Sequence, residues 1–316
     1  MHAWQFTNTH EPLVMNDVPE PTAAPGGVVI EVKAAGLCHS DVGLLEDEGW
    51  LALLAKRPIT IGHEVAGVVA EVGEGVTDWK VGDRVGVCPT TDAGAPGYAF
   101  DGGFAPKMAV DRIALVRIPE NVSFAYGAAG TDAGMTSHHA VIATGGVKAG
   151  TKLGVIGFGG LGQIGARVAV LAGAEVYVAE VNESVWDNVR AAGVKGVAKS
   201  IRDFADVGLD VIVDFAGFGV TTADAIETVR PGGRVVQVGM GRLEATINTR
   251  DLITKAVTLA GSVGGTKDDV QGVYDYFATG ELNPAITEIS FDEIPDGIQR
   301  LADGKVVGRL VATSGF

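Results

Sequence analysis

The sequence predicts an α/β protein of two domains, one rich in β-strands and the other a doubly wound parallel sheet of six strands. Three observations predict it. The chain has 316 residues, beyond the size at which one hydrophobic core usually keeps growing. Up to about Ala133, short Val-rich runs are bounded by Gly and Pro; beyond it, strand-like runs alternate with helical ones, which is the signature of βαβ units. Glycine supplies 46 residues, about double the usual ~7% and without a collagen-like period. That excess suits a chain with many tight turns and close backbone approaches.

Val28–Ala35 and Glu64–Val72 read as strands of the first domain. In the second, strands are expected at 152–157, 175–180, 196–200, 210–215, 234–238 and 258–263, the six that a full doubly wound sheet requires. Beyond Gly264 come a helix at 268–279, a loop with Pro284, an extended piece near Ile289, a helix near 294–303 and a final strand at 306–312. This tail is too small to bury a core of its own. It is expected to return to the first domain, so that residues 1–133 and 264–316 form one unit and 134–263 the other.

With 47% hydrophobic and 20% charged residues the chain is globular. A formal net charge of −15 repels polyanions and argues against nucleic acid or an anionic membrane as partner. Two cysteines cannot make a disulfide framework, and no charged segment followed by an apolar run opens the chain. No apolar stretch reaches the ~18 residues of a membrane span. A cytoplasmic protein with reduced thiols is expected.

The run Gly157-Phe158-Gly159-Gly160-Leu161-Gly162 follows a strand and opens a helix whose apolar positions Ile164, Val168 and Leu171 recur at helical spacing. Glycines there let the backbone approach a pyrophosphate, whose charge sits on the helix N-terminal amides. Glu180 lies 18 residues beyond Gly162, near the ~20 expected of the acid that accepts from the adenosine ribose. A carboxylate there repels a 2′-phosphate, so NAD is favoured over NADP. The plainer readings are a structural turn for the glycines and a solvated strand-end charge for Glu180.

Taken singly, Cys38 reads as a small buried hydrophobe and His63 as a surface or hydrogen-bonded residue. Together, the ordered runs GLCHSD, GHEVAGVVAEVGEGV, VGDRV, GFGGLG, GGRVVQVG and VVGRLV resemble the zinc-containing medium-chain dehydrogenase/reductase family along nearly the whole chain. The resemblance implies a GroES-like catalytic domain beside a Rossmann domain, with Cys38 and His63 as ligands of a catalytic zinc. The third ligand of the family is usually Cys; here Asp132 stands in its place, in a TDAG context that resembles some bacterial secondary alcohol dehydrogenases. Carboxylate oxygen is an acceptable zinc donor. The alternative for Asp132 is a helix cap.

Two further departures from the family matter. Where it commonly has four Cys around a structural zinc, this chain has Cys88 alone, so one catalytic zinc and no structural one is expected. Gly43 occupies a position at which some members carry a His that completes a proton relay, which leaves His39, the ribose hydroxyls or water to serve. The resemblance further implies that Ser40 accepts the substrate proton, that His39 and Arg309 meet the cofactor, and that Asp41 and Glu64 orient the ligands and tune the charge at the metal. Against these stand an Asx turn for Asp41, a surface carboxylate for Glu64 and a surface ion pair for Arg309. The implied activity is the NAD-linked interconversion of a small alcohol with its aldehyde or ketone, by a homodimer or homotetramer. A zinc-free quinone or enone reductase of the same fold, and a non-catalytic NAD-binding protein, are the alternatives.

Overall fold

The structure, a computed structural model, describes all 316 residues. The chain forms two compact units: Met1–Ala133 with Thr266–Gly280 and Ala285–Phe316, and Gly134–Gly265 with Glu281–Pro284.

The first unit is built on a seven-stranded sheet. Its main path runs Ile286–Ser290, Arg309–Ser314, Gly27–Leu37, Glu64–Val72, Arg84–Val87, Leu115–Arg117, and Lys107–Asp111 pairs with Gly27–Leu37 off that path. Gly27–Leu37 is the spine of the unit. Val28, Ile30 and Val32 on it are buried against Val65, Val69, Val85 and Met108, and the same core takes in Ile294, Ile298 and Leu301 from the helix Ile294–Ala302. The C-terminal tail therefore joins the core of the N-terminal segment. A small second sheet, in the order Val14–Asp17, His2–Phe6, Ile59–Thr60, completes the unit.

The last strand starts at Arg309, three residues later than the expected 306. Gly304 and Gly308 both take positive φ, 66° and 82°, conformations glycine adopts readily and L side chains avoid. The chain turns twice before the Arg309 amide docks on the Ala285 carbonyl, 2.9 Å away.

The second unit carries six parallel strands in the order Gly196–Ala198, Glu175–Ala179, Lys152–Ile156, Val211–Asp214, Arg234–Gln237, Thr258–Gly261. Numbered within the unit this is 3-2-1-4-5-6, the doubly wound dinucleotide-binding order. All six expected strands are present, each shorter than expected by one or two residues. No helix of the chain is long and apolar enough to cross a membrane.

Candidate active site

Strand register assembles the first part of the site. Antiparallel pairing sets Gly36 opposite both Glu64 and Val311, and Leu37 opposite Leu310. Cys38 follows one of these strands, His63 precedes the second and Arg309 opens the third, so all three meet at one end of the sheet. Gly36 is needed there because a Cβ would overlap the Glu64 carboxylate. Past Cys38 the chain turns into the helix His39–Glu46, and Asp41 holds that turn by accepting the Cys38 amide at 2.9 Å.

Asp132 arrives differently. The helix Phe124–Ala129 widens into a π-turn, Gly130–Gly134, and Asp132 lies within it. Such π-bulges are rare and concentrate at functional sites. Asp132 is thus inside a helical turn and does not cap one.

The ligand atoms of Cys38, His63 and Asp132 lie within 4.8 Å of one another. His63 Nε2 is 3.4 Å from Asp132 Oδ2 and 3.3 Å from Ser40 Oγ. On the other side of the ring, Nδ1 faces Asp41 Oδ1 at 3.5 Å, just beyond a hydrogen bond, and neither atom has another partner. Glu64 is fully buried; it accepts from the Arg309 guanidinium and from the Ala133 amide, the latter at 3.2 Å. Arg309 is buried as well, and one of its terminal nitrogens lies 3.8 Å from Asp132 Oδ2. Glu64 is therefore no surface carboxylate and Arg309 no surface pair. Asp41 both holds the turn and faces the imidazole.

The electrostatics describe a cluster short of positive charge. Burial works against an imidazolium at His63, but Asp41 and Asp132 outweigh it and hold its pKa well above the ordinary value. Burial also disfavours the Asp132 carboxylate; His63 and then Arg309 outweigh that and keep its pKa low. Glu64 is pushed up to about 7 by burial, with Arg309 pulling the other way. A thiol, an imidazole and a carboxylate that together favour a cation fit a zinc ion, and three protein donors leave its fourth position open. Asp132 and Cys38 keep part of their surface exposed. His39 stands at the exposed start of its helix; packing around its ring and then the Arg309 cation hold its pKa below the ordinary value.

In the second unit the glycine-rich run forms a turn between Lys152–Ile156 and the helix Gly162–Leu171. Gly157 takes φ 87°, and a Cβ on Gly162 would overlap the Gly157 carbonyl. A Cβ on Gly159, by contrast, meets nothing within 4 Å. The space above the turn at Gly159 is open. Gly160 and Leu161 lie half-buried between the two, and Ser137 Oγ donates to the Leu161 carbonyl at 2.9 Å. Glu180 is half-buried, and its two oxygens accept from the Phe158 and Asn182 amides, each at 2.7 Å. The carboxylate is thus tied to the glycine turn itself.

Two further contacts complete the surroundings of the site. Tyr98 packs edge-to-face with His63, centroids 5.7 Å apart, and its buried hydroxyl lies near Ser40. Burial pushes its pKa up to about 12, which makes it a neutral donor. Gly43 is covered by the Trp50 indole, with Cε2 2.6 Å from the place of a Cβ. A mid-helix glycine, which costs ~1 kcal/mol relative to Ala, was the available signal for this contact.

Comparison with known proteins places this geometry. The model of the alcohol dehydrogenase GroES-like domain matches residues 24–120, and that of the zinc-binding dehydrogenase matches 160–279. An alcohol dehydrogenase of Geobacillus stearothermophilus is 30% identical over 95% of this chain and 96% of its own. The chain belongs to the zinc-containing medium-chain dehydrogenase/reductase family. Among solved members, the acetophenone reductase of Geotrichum candidum in complex with NAD superposes with a TM-score of 0.91 at 26% identity, covering 99% of this chain and 97% of that one. The alcohol dehydrogenase of the hyperthermophilic archaeon Aeropyrum pernix gives 0.89 at 28% identity, covering 99% and 100%. Within this medium-chain family the two units are its GroES-like and Rossmann-like domains.

Proposed function

We propose that the chain is a zinc-dependent, NAD-linked alcohol dehydrogenase that interconverts an alcohol with its aldehyde or ketone. The convergence of Cys38, His63 and Asp132, with the Ser40 hydroxyl beside them, carries the reading. The relatives named alcohol dehydrogenase and the neighbour solved with NAD support it.

Cys38, His63 and Asp132 would hold one zinc, and with two cysteines in the chain no four-thiolate site can be built for a second. When bound, zinc supplies a Lewis acid that lowers the pKa of the alcohol, and NAD supplies the hydride acceptor. Ser40 Oγ would accept the proton of the substrate hydroxyl while giving up its own to His39, which is held neutral, to a ribose hydroxyl or to water. Asp41 fixes His63 by facing Nδ1, which leaves Nε2 free to ligate. Glu64, anchored by Arg309, holds the Ala133 amide next to Asp132 and would tune the charge around the metal. Gly157, Gly159, Gly160, Leu161 and Gly162 would cradle the diphosphate, Glu180 would take the ribose and disfavour NADP, and Arg309 is proposed as a cofactor contact. The edge strand Thr258–Gly261 exposes Leu259, and Val263 just beyond it is 91% exposed; this edge is assigned to a homodimer contact.

Metal analysis after exhaustive dialysis tests the reading, together with NAD reduction on primary, secondary and aromatic alcohols. About one zinc per chain and turnover are expected, both lost in Asp132→Ala. Full activity without metal overturns the zinc assignment, and a metal-loaded protein inert toward every alcohol overturns the activity.

A further inference from the structure

We propose that Tyr274 is a positioning residue for the third metal ligand, its hydroxyl fixing the π-turn that presents Asp132. The inference rests on the metal centre argued above and concerns how one of its ligands is held.

Tyr274 sits on the helix Lys267–Thr279, at the far end of the sequence from Cys38 and His63, and is fully buried. Its hydroxyl donates to the Gly127 carbonyl at 2.7 Å. Gly127 lies in the last turn before the helix widens at Gly130. The next carbonyl, that of Ala128, accepts from Thr131 Oγ1 at 2.8 Å. Two consecutive carbonyls at the mouth of the π-turn are thus held by side-chain hydroxyls.

The fit is close on every side. A Cβ on Gly130 would stand 2.5 Å from the Tyr274 ring, and one on Gly86 would overlap its hydroxyl and approach the Thr131 methyl at 2.7 Å. Both positions need glycine so that the phenol can reach the turn. At the other end of the π-turn, Glu64 accepts the Ala133 amide at 3.2 Å. Asp132 is therefore held between two fixed points, Tyr274 before it and Glu64 after it. π-turns are rare and occur mostly as single-turn bulges inside α-helices, so this one calls for a cause outside its own run. Tyr274 and Thr131 impose it from the N-terminal side.

The test is Tyr274→Phe in the full chain, which keeps the ring against Gly130 and removes only the donor. Zinc affinity is measured by chelator competition, and ligand geometry by the visible absorption of the cobalt(II)-loaded protein. A fall in zinc affinity of about 10- to 100-fold, as for lost ligand-orienting partners elsewhere, and displaced cobalt bands are expected. Val270→Ala, at a fully buried position of the same helix, serves as the control for lost stability and is expected to leave both readouts unchanged. If Tyr274→Phe does not fold, Thr131→Val removes the companion hydroxyl and is expected to lower zinc affinity in the same way. Wild-type affinity and spectrum in the folded Tyr274 variant, unchanged affinity in the Thr131 variant, or equal effects from Val270→Ala overturn the inference. A wild-type chain that binds neither zinc nor cobalt overturns the metal reading itself.

Discussion

The guanidinium of Arg309 donates to the carboxylate of Glu64, and the two side chains are 3% and 0% exposed. Breaking a buried pair by removing one partner costs ~3–5 kcal/mol, because the other charge is left buried alone. Arg309→Met leaves Glu64 facing Asp132 without a cation between them and is expected to lose that amount in urea unfolding of the metal-free protein. Arg309→Met with Glu64→Leu removes both charges and is expected to be more stable than the single variant. A double variant as weak as the sum of the singles would show that the two residues are not coupled.

The glycine turn sets a position filled by the chain, Gly162, beside one left open, Gly159. Gly162→Ala drives a Cβ into the Gly157 carbonyl and is expected to lower the unfolding midpoint. Gly159→Ala meets nothing within 4 Å, so it is expected to fold with an unchanged midpoint and to bind NAD at least tenfold more weakly by titration calorimetry. Undiminished NAD affinity in Gly159→Ala would mean that the diphosphate lies elsewhere.

Glu180 accepts two backbone amides, and on the function proposed above its charge is what discriminates against a 2′-phosphate. Glu180→Gln keeps an acceptor and removes the charge. Its ratio of NAD to NADP affinity is expected to fall through improved NADP binding, whereas an unchanged ratio would assign the residue to the turn alone.

What the sequence made legible follows from how local each signal is. The parallel sheet was readable because six apolar runs alternate with helical ones, and their order in space follows from the connection rules for βαβ units. The pairing of Cys38 with His63 became readable through the order of the family motifs, and the register of Gly36 opposite Glu64 is its physical cause. The π-turn was not readable. Nothing in the run Gly130–Gly134 distinguishes it from an α-helical turn; its cause lies in Tyr274, over 140 residues away in sequence. Tyr98 reads in the sequence only as an aromatic that could line an apolar slot or fill the core, because the loop that carries it has no periodicity and its approach to His63 is purely tertiary.

Gly43 and Trp50 are coupled by contact. Gly43→Ala places a methyl 2.6 Å from the indole, and overpacking of this kind costs ~1–3 kcal/mol. A stability loss in that range is expected for Gly43→Ala in the wild-type background and a much smaller one in a Trp50→Ala background, where Ala also gains helix propensity over Gly. By the same contact, Gly43→His is expected to displace Trp50 and to leave turnover no faster. A faster Gly43→His variant would show that a relay histidine can be accommodated beneath the indole.

Asp210 gives the pH dependence of the nucleotide unit away from any metal. Its carboxylate accepts the Lys152 amide at 2.8 Å and Arg230 Nε at 2.6 Å, tying the starts of two neighbouring parallel strands together. Burial works to raise its pKa, but the Lys152 amide and then Arg230 outweigh it, so the folded pKa lies below the ordinary carboxylate value. Between those two values the unfolded chain binds more protons than the folded one, and stability therefore rises with pH. The contribution is fully present above the ordinary pKa of about 4 and is lost as pH falls through the folded value. Asp210→Asn is thus expected to show its largest deficit in melting temperature between pH 5 and pH 7, on the order of a few degrees, and to converge on the wild type as the pH is lowered toward 3. A gap of constant size across that range would mean that the carboxylate has the same pKa folded and unfolded, and that Asp210 acts through shape and not through charge.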